Sequence, residues 1–167
     1  KKEKARIMPA GVDIDFFTSG TSTSRRPQSI LFLGRISRVK KVREFIEALK
    51  LLFKKNPRTQ ATLCGSVVKE EETYGKSLET SMTELVKNKN LTVLSGVSHG
   101  KAKELYESHE LYVNLTQTGS MDKTILEAMA MKSLILVLNR SLEKVLPKDS
   151  IVSESADPEE IAQKMAF

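Results

Sequence analysis

Two short segments of the sequence carry residues suited to binding a phosphorylated ligand. Residues 34–41, GRISRVKK, contain Arg35, Arg38, Lys40 and Lys41 and no acidic residue. Cations neutralise phosphate charge, and the planar guanidinium of Arg pairs with two phosphate oxygens. An ordinary solvated basic loop is the alternative interpretation, so the position of this run in the fold decides its role.

The second segment covers residues 116–130, TQTGSMDKTILEAMA, in which a polar loop leads into an apolar helical pattern. Free backbone amides at a helix start bind anions, and Gly119 allows the backbone to approach a phosphate closely. Glu127 has two interpretations. An acid near a helix start is favourable to the dipole, whereas a carboxylate facing a ligand can accept hydrogen bonds from the vicinal hydroxyls of a ribose.

Alternating apolar runs and amphipathic stretches predict the elements that position these segments. They indicate an α/β, Rossmann-like fold with a doubly wound, mostly parallel six-stranded sheet. The clearest helix carries Val42, Phe45, Ile46, Leu49, Leu52 and Phe53 on one face. The predicted strands are Ser29–Leu33, Gln60–Cys64, Leu91–Leu94, Glu110–Leu115, Leu134–Leu138 and Ile151–Val152.

The strand order expected for such a sheet, 3-2-1-4-5-6, makes the loops after strands 1 and 4 neighbours. Those loops are the two segments described above. We therefore expect a phosphorylated ligand in the crevice between them.

Composition and missing motifs exclude several classes. The formal charge of +6 is scattered, and the chain has no Trp and 5% aromatics, so a nucleic-acid partner is not expected. No dinucleotide-binding Gly-x-Gly-x-x-Gly, Walker A or Gly-x-Ser-x-Gly motif and no paired His or Cys at metal spacing occurs. The lone Cys64 and the lack of a long apolar run favour a reducing, cytoplasmic location.

The chain divides into two parts by composition. Residues 1–27 are expected to be an interdomain segment and linker, and residues 28–167 a Rossmann-like nucleotide-binding domain. Numbering starts without Met, and residues 160–167 stop inside a helical pattern, so we expect a piece of a longer protein with its C-terminal helix truncated.

These segments resemble the C-terminal, donor-binding half of family 4 retaining glycosyltransferases (glycosyl transferases group 1), which have the two-domain GT-B fold. The similarity spans nearly all of the chain. Residues 7–13, IMPAGVD, are similar to the family's segment leading into the second domain, and Gly34-Arg35-Ile36 with Lys40 is similar to its Gly-Arg-Leu loop and following Lys. Residues 126–130, LEAMA, are the most specific match.

The resemblance implies roles for individual residues. Arg35 and Lys40 would bind the donor diphosphate, and Glu127 the donor ribose. Backbone around the helix start would hold the phosphates and sugar, and the turn at Val97 would meet the nucleobase. The full set of implied donor-binding residues is Gly34, Gly65, Val97, Thr118, Gly119, Ser120, Asp122, Lys123 and Thr124.

One departure concerns the sugar end of this site. The family usually has a first Glu eight residues before the second, and Gly119 stands at that position. Asp122 either substitutes for the missing acid or only caps the helix. Lys123 is either a further cation near the phosphates or an exposed helix residue.

The expected function is transfer of a hexose-type group from a nucleoside diphosphate sugar with retention, without a metal or other cofactor. The acceptor, a glycan or lipid-linked sugar, would bind the absent N-terminal domain, and the isolated chain would be inactive. Peripheral association of the parent enzyme with the inner face of the membrane is part of this expectation. The alternatives are a degenerate nucleotide-sugar-binding or regulatory module and a GT-B sugar-nucleotide epimerase.

Overall fold

A parallel sheet forms the centre of the molecule. The computed structural model describes residues 11–20, 25–117 and 122–166. Within them, five strands pair in the order β3-β2-β1-β4-β5, and all neighbours run parallel. The strands are β1 (Arg26–Leu33), β2 (Gln60–Cys64), β3 (Leu91–Leu94), β4 (His109–Asn114) and β5 (Leu134–Val137).

Helices cover both faces of the sheet. They are α1 (Val42–Lys55), α2 (Glu72–Lys87), α3 (His99–Ser108), α4 (Lys123–Ala130) and α5 (Pro158–Lys164). Ile30 and Phe32 of β1 pack in one cluster with α1, α2 and α5, whereas Leu31 packs in a second cluster with α3 and α4. Because successive strand residues point to opposite faces, this alternation produces the predicted doubly wound, three-layer arrangement.

Local sequence signals explain where the helices form. All six residues of the predicted apolar face, Val42 to Phe53, are buried in α1. Three helices begin at side-chain caps: Ser98 for α3, Asp122 for α4 and Asp157 for α5. The proline after Asp157 occupies the first helical position, where its missing N–H costs no hydrogen bond.

The prediction of six strands was wrong. The expected last strand, Ile151–Val152, is reduced to an isolated parallel bridge between Ile151 and Val137. A 3₁₀ turn, Lys148–Ser150, leads directly into this bridge. On its other side the Ser153 amide donates to Glu160 instead of to a strand. The backbone is thus diverted on both sides of a single paired residue.

The segment that leads into the domain is partly built into the core. Its chain turns at Asp13, whose side chain accepts a hydrogen bond from the Phe16 amide at 2.9 Å, and whose carbonyl accepts from the Phe17 amide at 2.8 Å. Phe17 is buried and packs edge-on against Tyr106, with ring centroids 6.1 Å apart. The division of the chain at residue 27 stays a prediction.

Among the described residues, no helix combines the length and apolar character that a membrane span requires.

Candidate functional site

An open cleft of about 420 Å³ lies at the carboxyl edge of the sheet. Because β1 pairs with β4, the loops after these strands are neighbours, as predicted. The walls are formed by the ends of β1 and β2, the loop after β3 and the starts of α3 and α4. Residues that line the cleft include Gly34, Arg35, Gly65, Ser66, Gly96, Val97, His99, Lys123, Thr124 and Glu127.

The floor of the cleft depends on a close contact between two loops. A Cβ atom at Gly65 would lie 1.8 Å from the carbonyl oxygen of Gly34. The loops are also joined by hydrogen bonds from the Gly34 amide to the Cys64 carbonyl and from the Ile36 amide to the Ser66 carbonyl, both 2.9 Å. Only glycine allows this approach at position 65, and Gly34 and Gly65 both line the cleft.

Glu127 lies in the cleft wall and is fixed from behind by a tyrosine. It is 8% exposed, and its Oε2 accepts a hydrogen bond from the Tyr106 hydroxyl at 2.9 Å. Its Oε1 accepts no hydrogen bond from any residue that the structure describes. Burial, with the negative charge of Glu127 adding to it, raises the pKa of the Tyr106 phenol, so this hydroxyl stays protonated and donates. Glu127 therefore has one oxygen committed to the protein and one available.

The basic loop is less open to a ligand than its sequence indicates. Acidic residues pair with three of its four cations: Arg38 with Glu71, Lys40 with Asp122, and Lys41 with Glu44 in the following helix α1. Arg38 also lies over the ring of Tyr74, with 4.8 Å from its guanidinium carbon to the ring centroid. Within residues 11–20, 25–117 and 122–166, Arg35 forms no ion pair or hydrogen bond. It is exposed and lines the cleft.

Asp122 directs both of its carboxylate oxygens toward the protein. Its Oδ1 accepts from the Thr124 amide at 3.3 Å and the Thr124 hydroxyl at 3.0 Å, which caps α4. Its Oδ2 accepts from the Lys40 ammonium and from the Asn114 side-chain amide, the latter at 3.1 Å. Burial raises the pKa of the Asp122 carboxyl, but the hydrogen bonds from Lys40 and Asn114 outweigh it, and the net pKa lies below its ordinary value.

A metal site is not evident in the part of the chain that the structure describes, where no three His, Cys, Asp or Glu side chains are grouped to hold an ion. A mechanism without a metal stays a prediction.

The geometry thus combines, around one cleft, an exposed Arg, a helix start and a carboxylate with one oxygen hydrogen-bonded to the protein. The sequence profile of the glycosyl transferases group 1 family matches residues 16–167, which is nearly the whole chain. The chain belongs to this family.

Solved structures share the fold of this group 1 glycosyltransferase domain. The C-terminal domain of LpcC, a glycosyl transferase group 1 family protein from Francisella tularensis, superposes with a TM-score of 0.79 at 22% identity, covering 93% of this chain and 86% of that one. HepE from Anabaena, crystallised with UDP-glucose, has a TM-score of 0.76 at 17% identity, covering 93% of this chain and 45% of that one. No curated protein matches the chain significantly.

A third structure shows the same relationship to a longer protein. The pneumococcal O-GlcNAc transferase GtfA, in complex with UDP and GlcNAc, superposes with a TM-score of 0.68 at 14% identity, covering 89% of this chain and 29% of that one. The group 1 domain thus spans less than half the length of HepE and of GtfA.

The predicted site residues of this group 1 domain fall into three sets. The cleft brings together Gly34, Arg35, Gly65, Val97, Lys123, Thr124 and Glu127. Lys40 and Asp122 do not line it and are paired with each other. Thr118, Gly119 and Ser120 lie outside the described residues, so their predicted roles stay untested.

Two residues that contribute to the site were missed by sequence reasoning. Tyr106 has the helical spacing of a core residue, and nothing in its neighbourhood along the chain points to Glu127. His99 opens α3 and lines the cleft, although its sequence, Ser98-His99-Gly100, indicates only a turn or cap. The Tyr106–Glu127 contact joins α3 to α4, and His99 lines the cleft because α3 begins there.

Proposed function

We propose that this group 1 domain is the donor-binding half of a glycosyltransferase with the GT-B fold, and that its cleft binds a nucleoside diphosphate sugar. The observation that carries the proposal is the meeting of Arg35, Lys123 and Glu127 around one cleft at the carboxyl ends of parallel strands. HepE was crystallised with UDP and UDP-glucose, which supports the same class of ligand here.

In this proposal each wall of the cleft binds one part of the donor. The carboxylate of Glu127 accepts hydrogen bonds from the ribose hydroxyls through its available Oε1. Val97 lies in the wall of the loop after β3, beside the nucleobase. Arg35, Lys123 and the first amides of α4 stabilise the diphosphate, and Lys40 joins them when it exchanges Asp122 for a phosphate oxygen.

The chemistry proposed is retaining transfer of a hexose-type group to an acceptor bound by a second domain. The bond between the anomeric carbon and the diphosphate oxygen breaks, the acceptor oxygen forms the new bond on the same face of the sugar, and the proton of the acceptor hydroxyl passes to the departing diphosphate. Negative charge builds on the leaving diphosphate, and the cations and helix-start amides stabilise it. We infer that the 167-residue chain binds donor nucleotide but does not transfer sugar by itself.

Two observations favour a second candidate, a nucleotide-binding module that has lost transfer. The cation expected to bind the diphosphate, Lys40, is paired with Asp122. The acid expected at the sugar end is replaced by Gly119. A full-length transferase assay separates the two candidates, since a module binds nucleotide without turnover.

Calorimetric titration of the chain with UDP, GDP and ADP tests the proposed ligand class. We expect binding of at least one nucleotide and loss of about tenfold or more in affinity for Glu127→Gln, because a charge-assisted hydrogen bond to ribose is weakened. Glu110→Gln, at the opposite edge of the sheet, serves as the control. The absence of a binding heat with all three nucleotides would overturn the proposal.

A further inference from the structure

The ion pair between Lys40 and Asp122 joins the loop after β1 to the start of α4. Its two side chains are 14% and 20% exposed. It is therefore shielded from solvent, unlike the exposed pair of Lys101 and Glu104, whose side chains are more than half exposed. Shielded pairs are screened less by salt and interact more strongly than surface pairs.

The pair is adjacent to the cleft. Thr124, which lines the cleft, donates its hydroxyl to Asp122 Oδ1 at 3.0 Å. Arg35, five residues before Lys40 in the same loop, also lines it. The Lys40 ammonium is thus bonded to the residue that caps α4, and the next two residues, Lys123 and Thr124, line the cleft.

Asp122 and a phosphate group would both accept a hydrogen bond from Lys40. Both are anionic oxygen groups that accept a charge-assisted hydrogen bond from an ammonium. The ammonium has three N–H donors, so it can bond to more than one oxygen. While Asp122 stays ionised, however, its negative charge cancels the positive charge of Lys40. The lowered pKa of the Asp122 carboxyl keeps it ionised at neutral pH.

We propose that Asp122 competes with the diphosphate for Lys40 and so sets the affinity of the cleft for the leaving group. The inference rests on the proposed function, since it presupposes that a nucleoside diphosphate occupies the cleft. It assigns Asp122 a role beyond capping α4. A lower affinity for the free diphosphate favours its release after sugar transfer.

Calorimetry with UDP, GDP and ADP on Asp122→Asn tests this role. Asn retains an oxygen that caps a helix about as well as Asp, so the substitution removes the charge and spares the start of α4. We expect the nucleotide that binds most tightly to the unaltered chain to bind about tenfold more tightly to the variant. Affinity for the matching nucleoside, which has no phosphate, should not change.

The Lys40→Met background shows whether Asp122 acts through Lys40. There Asp122→Asn should change nucleotide affinity by less than about twofold, since the competed group is gone. Asp157→Asn, which removes the charge of a helix cap away from the cleft, controls for net charge. Asp122→Ser is a second variant that keeps a capping oxygen without the charge, and it should also bind the nucleotide more tightly than the unaltered chain. Thermal unfolding of every variant shows whether it is folded.

The outcomes separate this inference from the proposed function. Tighter nucleotide binding that depends on Lys40 supports it. If the unaltered chain binds nucleotide and Asp122→Asn binds no more tightly, or tightens equally in the Lys40→Met background, only the competition is wrong. If neither protein binds any of the three nucleotides, both proposals are overturned.

Discussion

The hydroxyl of Tyr106 donates a hydrogen bond of 2.9 Å to Oε2 of Glu127, and both side chains are buried. Tyr106 is held in turn by edge-on packing against Phe17 and Tyr112, with ring centroids 6.1 Å and 5.5 Å away. The carboxylate that faces the cleft is therefore oriented by a residue that does not line it. This arrangement makes Tyr106 a positioning residue for the proposed ribose ligand.

Tyr106→Phe should weaken binding of a ribonucleotide about tenfold, because Glu127 loses the charge-assisted hydrogen bond that orients it. The measurement is calorimetry with the ribonucleoside diphosphate that binds and with its 2′-deoxy analogue. The loss of affinity caused by Tyr106→Phe should be smaller for the 2′-deoxy analogue, which lacks one of the hydroxyls that Glu127 is proposed to bind.

The matched control is Tyr74→Phe. Tyr74 is also buried, and its hydroxyl accepts from the Arg43 amide at 3.0 Å, away from the cleft. Equal losses for the ribose and deoxyribose ligands in Tyr106→Phe would show that the tyrosine acts on stability alone.

Gly65→Ala should destabilise the fold by about 3 kcal/mol, because a Cβ 1.8 Å from the Gly34 carbonyl oxygen forces the two loops apart. The φ of Gly65 is outside the left-handed region, so the cost is steric. Urea unfolding measures it. Gly100→Ala, where a Cβ meets nothing within 4 Å, should change stability by less than about 1 kcal/mol. Similar stabilities for the two variants would contradict the close contact.

Phe17→Ala should cost about 3–5 kcal/mol of unfolding free energy, since the ring is buried against Tyr106 and the α3–α4 cluster. Phe16→Ala is the control, because its ring is 38% exposed, and it should cost less than half as much. Chemical denaturation compares the two. If Phe17→Ala costs no more unfolding free energy than Phe16→Ala, Phe17 does not belong to the core, as the linker interpretation of residues 1–27 expects.

His109 should make the fold sensitive to mild acid. Burial lowers its pKa to about 4 from an ordinary 6.5, and the charge of Arg26 adds to the effect. Its Nδ1 lies 2.7 Å from the Leu105 carbonyl and its Nε2 2.8 Å from the Thr62 hydroxyl, which assigns the proton to Nδ1.

The sign follows from proton binding. Between pH 6.5 and 4 the unfolded chain binds a proton at His109 that the folded chain does not, so stability falls as pH falls through this window. The loss is at most about 3 kcal/mol. Urea unfolding at several pH values should show the advantage of the unaltered chain over His109→Gln shrinking by this amount. A constant difference across the window would rule out the buried neutral state.

Much of the fold follows from local patterns. The apolar face from Val42 to Phe53 defines α1, and Asp157 followed by proline and two acids defines the start of α5. Five strands form near the predicted positions. The sixth predicted strand is reduced to one bridge at Ile151, because the turns on either side of it divert the backbone from the sheet. The hydrophobic pattern of the sequence does not reveal such turns.

The sequence by itself determined the α/β class and the crevice between the loops after strands 1 and 4. Each depends on patterns read within a single element, together with the general rule that parallel strands end at one edge. The family profile, which matches residues 16–167, agrees with this fold class.

Only the tertiary structure decided which charges remain available. Lys40 meets Asp122 across 82 residues of sequence, and Tyr106 meets Glu127 across 21. Such contacts are set by how the loop after β1 and helix α3 pack against α4, and no local spacing encodes them. Three of the four cations in the basic loop are therefore paired with carboxylates in the fold, and among the described residues Arg35 is the cation of that loop without an ion pair.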